Sequence, residues 1–148
     1  MSSLKTSGRV AAVIAAGAIG AVLVNPGIAN AATAARSFPS SGVVKFEAND
    51  TTSGNNVRAR ITVTIDTLGR WNLSTHVYNG HVAWRNVTVQ CTVGPGWQGS
   101  TTFRSPRFRV GGHDHKDASW SGQDNQVGLD YAYYVGPNGY GTCDVTTG

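Results

Sequence analysis

The amino-acid sequence predicts an all-β fold, an antiparallel β-sandwich or small up-and-down β-barrel of about eight strands fastened by one disulfide. Three observations carry that expectation. Several short stretches alternate apolar and polar residues with a period of two, which a helix does not produce. Glycine (19 residues) and threonine are abundant while Glu47 is the only glutamate, a bias toward strands and turns. The 2 cysteines, Cys91 and Cys143, both follow a segment that reads as an export leader, and an oxidising compartment would pair them.

Residues 1–31 have the layout of a cleaved signal peptide. Lys5 and Arg9 give a positive start, Val10–Val24 is apolar, Asn25-Pro26-Gly27 ends the run, and Ala29-Asn30-Ala31 offers a small-x-small cleavage site. Ala32-Thr33-Ala34 is a second choice of site. An apolar run of roughly fifteen residues is short for a helix that must cross about 30 Å of hydrocarbon, and no later segment is apolar enough to span a bilayer. The expected localisation is therefore secreted. The remaining chain, about 117 residues, suits one domain with a real core. Its Ala- and Thr-rich, Lys-poor style resembles exported proteins of bacteria with GC-rich genomes.

Leader removal also changes the charge. The full chain carries 12 Lys+Arg against 8 Asp+Glu; Lys5 and Arg9 leave, so 10 − 8 = +2 remains. So small and scattered an excess lacks the dense basic stripe of a nucleic-acid binder, and none is expected as a partner.

In chain order, residues 32–41 are small and polar and read as a flexible N-terminal arm, with a single β domain over residues 42–148. Val43–Ala48 alternates as a first strand, and Asn49–Asn56 is a turn cluster. Val57–Asp66 is the clearest strand, with Val57, Ala59, Ile61, Val63 and Ile65 on one side and Arg58, Arg60, Thr62 and Thr64 on the other. After Thr67-Leu68-Gly69, the stretch Arg70–Tyr78 returns with Trp71, Leu73, Thr75 and Val77 facing in. Asn79-Gly80 is a strong type I′ hairpin signal, pairing Val77 with Val82 and Thr75 with Trp84 on the core face. Beyond Trp84 the apolar set moves from even to odd positions (Val87, Val89, Cys91, Val93), which a β-bulge at Arg85-Asn86 would absorb.

The second half reads as a Gly-rich loop over residues 94–100, a Pro-interrupted strand Thr101–Val110, a polar loop, a short strand Ala118–Ser121, an alternating strand Gln126–Val135 and a last strand Tyr140–Val145. No helix is expected after the leader.

Chemistry concentrates in Gly111–Gly122. His113 and His115 form a His-x-His pair, the start of a zinc or copper site on a strand, although Lys116 puts a cation inside that shell and Gly111-Gly112 favours a solvated loop. Asp114, Asp117, Asp124 and Asp130 would serve glycoside hydrolysis if folding brought them together, but aspartates in loops are commonly turn formers. No nucleophile elbow, phosphate loop or other cofactor motif is present, so no cofactor is expected.

Trp97, Trp120 and Tyr134 are the aromatics that periodicity leaves outside the core. Beside Asp114 and Asp117 they suggest a sugar-binding surface, whereas Trp71 and Trp84 read as core. Arg58 with Arg60, and Arg107 with Arg109, share strand faces and would suit an anionic cell-surface polymer, or simply a solvated face. The expectation is a secreted β domain with a non-catalytic binding or interaction role toward a glycan or anionic surface polymer. The alternative is a small secreted hydrolase using Asp and His residues around Gly111–Gly122.

Overall fold

The computed structural model describes residues 31–52, 54, 56–95 and 100–148. Residues 1–30 of the expected leader (residues 1–31) and Trp97 lie outside the described residues. The fold is an all-β sandwich of two five-stranded antiparallel sheets. One sheet holds β1 (Ala32–Thr33), β10 (Tyr140–Thr147), β6 (Arg85–Gly94) and β7 (Thr101–Arg104) in that order, with β8 (Phe108–Val110) also on β6. The other runs β2 (Ala35–Ser40), β3 (Val43–Thr51), β4 (Val57–Asp66), β5 (Arg70–Asn79), β9 (Asp114–Gln123).

Period-two alternation makes the core. Phe46 of β3, Ile61, Val63 and Ile65 of β4, and Leu73 and Val77 of β5 are buried on one inner face, opposite Val87, Val89, Cys91 and Val93 of β6 and Cys143 of β10. Fully burying one such aliphatic side chain contributes roughly 1.5–3 kcal/mol. Aromatic pairs reach between the sheets near the edges, Trp71 against Phe103 with ring centroids 5.3 Å apart and Trp120 against Phe108 at 5.4 Å. Cys91 and Cys143 are register partners on β6 and β10 and form the expected disulfide, which therefore lies within one sheet.

Several expectations are corrected. Residues 32–41 are not a loose arm: β1 pairs with β10 and β2 with β3, so this segment steps from one sheet to the other. Asn79-Gly80 does not close a hairpin, because β5 pairs with β4 and β9 while β6 belongs to the opposite sheet. The Asn79 side chain is buried and organises this crossing instead. Its Nδ2 donates to the carbonyls of Ala83, Val110 and Gly111 at 2.9, 3.3 and 3.0 Å, and its Oδ1 accepts from His81 N at 2.9 Å.

The loop that follows sends Val82 (85% exposed) and Trp84 (49%) outward, so Trp84 is not core; the Arg109 guanidinium lies 4.0 Å from its ring centroid. The phase change beyond Trp84 marks this change of sheet, and no bulge is needed to explain it.

Asp114–Lys116, expected in a loop, belong to β9, whose ten residues pair with β5 from Asn79↔Asp114 to Arg70↔Gln123. Gln126–Val135, expected as a strand, forms two short helices, α1 (Asn125–Leu129) and α2 (Tyr131–Val135). The buried positions are Val127, Asp130 and Tyr134, a helical spacing, while Leu129 and Tyr133 are exposed. Asp124 caps α1 by accepting from Gln126 N at 2.8 Å. Gly69, at φ +78°, lets the β4–β5 turn press against Asp124, a contact its missing Cβ would obstruct. Arg36 of β2 holds the end of α2 by donating from Nη1 to the carbonyls of Tyr134 (2.8 Å) and Gly136 (2.6 Å).

Tyr134, expected on the surface, is fully buried and shares a 2.9 Å hydrogen bond with Thr101 Oγ1. Burial pushes its hydroxyl up to about 12 from an ordinary value of 10.0, against a lowering by the Thr101 bond, with Asp130 and Asp124 adding to the rise. The fold prefers the neutral phenol, so this contribution is intact below the unfolded value near pH 10 and is lost as pH rises through about 12. Tyr134→Phe is expected to lose about 1 kcal/mol at neutral pH with the hydrogen bond, yet to fall less steeply than the parent between those limits. Urea midpoints measured across that range check both parts, and parallel declines would refute the assignment.

Candidate binding face

The outer face of the second sheet brings together an aromatic ring, two imidazoles, two guanidinium groups and a carboxylate. Alternation on β5 turns Asn72, Ser74, His76 and Tyr78 away from the core, and β4 does the same with Arg58, Arg60 and Thr62. Strand β9 adds His115, Asp117 and Ser119 in register, giving cross-strand rows Arg58–Tyr78–His115, Arg60–His76–Asp117 and Thr62–Ser74–Ser119.

These rows are joined by contact. The Arg58 guanidinium stands 4.9 Å from the Tyr78 ring centroid, Tyr78 lies 4.7 Å from the His115 ring, and His115 stacks on His76 at 5.1 Å and 28°. His76 Nδ1 meets Asp117 Oδ1 at 2.5 Å, and His76 Nε2 meets His115 Nδ1 at 3.1 Å. An ionised Asp117 accepts from His76 Nδ1, which fixes the tautomer of a neutral His76; its Nε2 is then an acceptor for His115 Nδ1, leaving His115 Nε2 with a free lone pair. The result is one oriented chain of rings ending in a carboxylate, 51% exposed at the His76 side chain and 82% at Asp117. Beside it an open depression is lined by Arg60, Thr62, Ser74, His76, Asp117 and Ser119.

The other residues singled out by sequence lie elsewhere. His113 sits before β9 at φ +50°, with its backbone N donating to His81 O at 2.8 Å, while His115 turns to His76. Among the described residues no group of three or more His, Cys, Asp or Glu side chains is placed to hold a metal ion. Asp114 accepts from its neighbour His115 N at 2.8 Å. Asp114 begins β9 whereas Asp124 and Asp130 follow its far end, a strand length of roughly 30 Å, so the four aspartates are not gathered. Trp120 lies in register with Leu73 and is half-buried against Phe108. Among the described residues of the expected ligand-binding set, Asp117 alone joins the ring array.

Sequence reasoning selected neither Tyr78 nor His76 for this face. The signal was the period of β5, which places both on the arginine-bearing side. The pairing of β5 with β9 completes the array and has no local signature. Searches of family models, of curated proteins and of solved structures found no match to this chain.

Proposed function

We propose that this chain is exported, sheds its leader and acts outside the cell as a non-catalytic binding domain for an acidic carbohydrate polymer. The stacked Arg58–Tyr78–His115–His76 array, open to solvent on a rigid sheet, is the observation that carries this reading. Aromatic rings offer flat apolar contact to sugar faces, and neighbouring hydroxyls and amides meet sugar hydroxyls. Thr62, Ser74, Ser119 and Asn72 supply those groups here. Arg58 and Arg60 stand on the same face and would take uronate or phosphate oxygens through charge-assisted hydrogen bonds, worth roughly 1.5–3 kcal/mol each.

The test is calorimetric titration with polygalacturonate, with neutral dextran as the comparison. Arg58→Ala with Arg60→Ala is expected to weaken polygalacturonate binding at least about tenfold, taking the lower end of that range, and to flatten its salt dependence. Arg104→Ala, on the opposite sheet, should leave binding unchanged. An affinity that ignores the Arg58 and Arg60 replacements removes the proposal.

The Asp117-oriented pair of imidazoles favours a second reading, a hydrolase in which the free Nε2 of His115 is general base. The release of reducing ends from the same polymer, abolished by Asp117→Asn, would decide for it.

A further inference from the structure

A second group of charges lies at the seam where β1 meets β10. Asp50 and Asp144 are each only 8% exposed, and neither forms an ion pair among the described residues. Asp50 reaches from the inner face of β3 to the edge of β10, where its Oδ2 accepts from Val145 N at 2.9 Å. Burial raises the Asp144 carboxyl above its ordinary range and the Asp50 charge adds to the rise, while hydrogen bonding to Gln90 and the more distant Arg104 oppose it. Two buried acids, one of them raised by the charge of the other, are costly unless a cation answers them.

Strand register shows where a cation would come from. Ala32 pairs with Cys143 and Thr33 with Thr142, so one step back along β1 places Ala31 opposite Asp144. Odd-numbered residues of β10 turn their backbone groups toward β1, since Ala34 N donates to Gly141 O at 2.8 Å. Val145 is the next such position beyond Cys143, and there the Asp50 carboxylate occupies the track that β1 would otherwise continue along. The backbone nitrogen of Ala32 and the Asp50 carboxylate thus stand along the same edge, on the order of 5 Å apart from the strand rise. In the uncleaved chain that nitrogen is a neutral amide.

We propose that cleavage between Ala31 and Ala32 creates the missing cation, and that the freed α-ammonium of Ala32 pairs with Asp50 and Asp144 to fasten β1 onto β10. Water adds across the amide under a signal peptidase, Ala31 departs as a carboxylate, and Ala32 keeps the amine and takes a proton. The inference rests on the export reading above, but it is tested separately from it.

The experiment compares Ala32–Gly148 carrying a free amine with the same chain extended by Gly-Ser, each with and without Asp50→Asn and Asp144→Asn. At mildly acidic pH the free-amine protein should melt several degrees above the extended one, and the gap should close in the Asn background. An unchanged melting temperature on extension, or a gap that persists without the acids, overturns the ion pair.

Should the Asn variants fail to fold, NMR titration of the Ala32 amine decides the matter. A value above the usual terminal range supports the pair, and an ordinary value overturns it. Intact mass of exported material separates the two claims. A chain starting at Ala32 supports both, one starting at Ala35 removes β1 and the ion pair with it, and a retained leader overturns the export reading as well.

Discussion

Replacing Cys91 and Cys143 together by alanine is expected to lower the stability of the fold by about 4 kcal/mol, the chain-entropy value for a closed loop of 52 residues. For a domain of this size that corresponds to roughly 10–20 °C in melting temperature. The expectation rests on more than loop length. The disulfide joins register partners on β6 and β10, both fully buried, so its loss also removes packed sulfur from the layer between the sheets. Urea denaturation of the double variant beside the parent measures the change. A loss under about 1 kcal/mol would mean that residual structure already restricts the unfolded chain nearly as much as the bond does.

The next largest effect is expected at Asn79, whose amide serves four backbone groups where the chain changes sheets. Asn79→Ala leaves the carbonyls of Ala83, Val110 and Gly111 and the amide of His81 to find other partners, at a cost of roughly 2–4 kcal/mol. Asn79→Asp keeps the shape but replaces a donor by an acceptor facing three carbonyls, so it should be the more damaging change at neutral pH. Acid should narrow its deficit relative to the parent, because a protonated carboxyl regains one donor. Denaturation of both variants at neutral and mildly acidic pH checks the order. An Asp variant as stable as the Ala variant at neutral pH would contradict the hydrogen-bond assignment.

These two sites mark the range of what the sequence made legible. The disulfide follows from cysteine count and export signals, and β3, β4 and β5 follow from alternation, because each has one face in the core and one in solvent. Asn79 carries a strong local hairpin signal, yet the same side chain serves equally to cap a crossing loop, and partner choice between strands is a non-local matter. The even-to-odd change in apolar phase beyond Trp84 was the available clue to the crossing.

Strand β9 was harder to read because it is an edge strand whose first four residues are exposed on both sides, so burial imposes no alternation there. In Gln126–Val135 the apolar residues fit period two and the helical period alike. The arrangement capped by Asp124 prevails, burying Val127 and Tyr134. The ring array was the least accessible feature, since His76 and His115 are 39 residues apart and meet only through the β5–β9 pairing.

The position of β10 has a consequence for how the molecule is made. The last strand is an interior member of its sheet, flanked by β6 on one side and by the first strand, β1, on the other. The sheet cannot assemble by adding elements as they emerge, because its centre is supplied only when Tyr140–Thr147 is free to insert. Ordering depends on contacts between distant parts of the chain, which makes folding slow and cooperative and leaves a partial chain without a finished sheet. A chain lacking this strand leaves β1 and β6 without the neighbour that joins them.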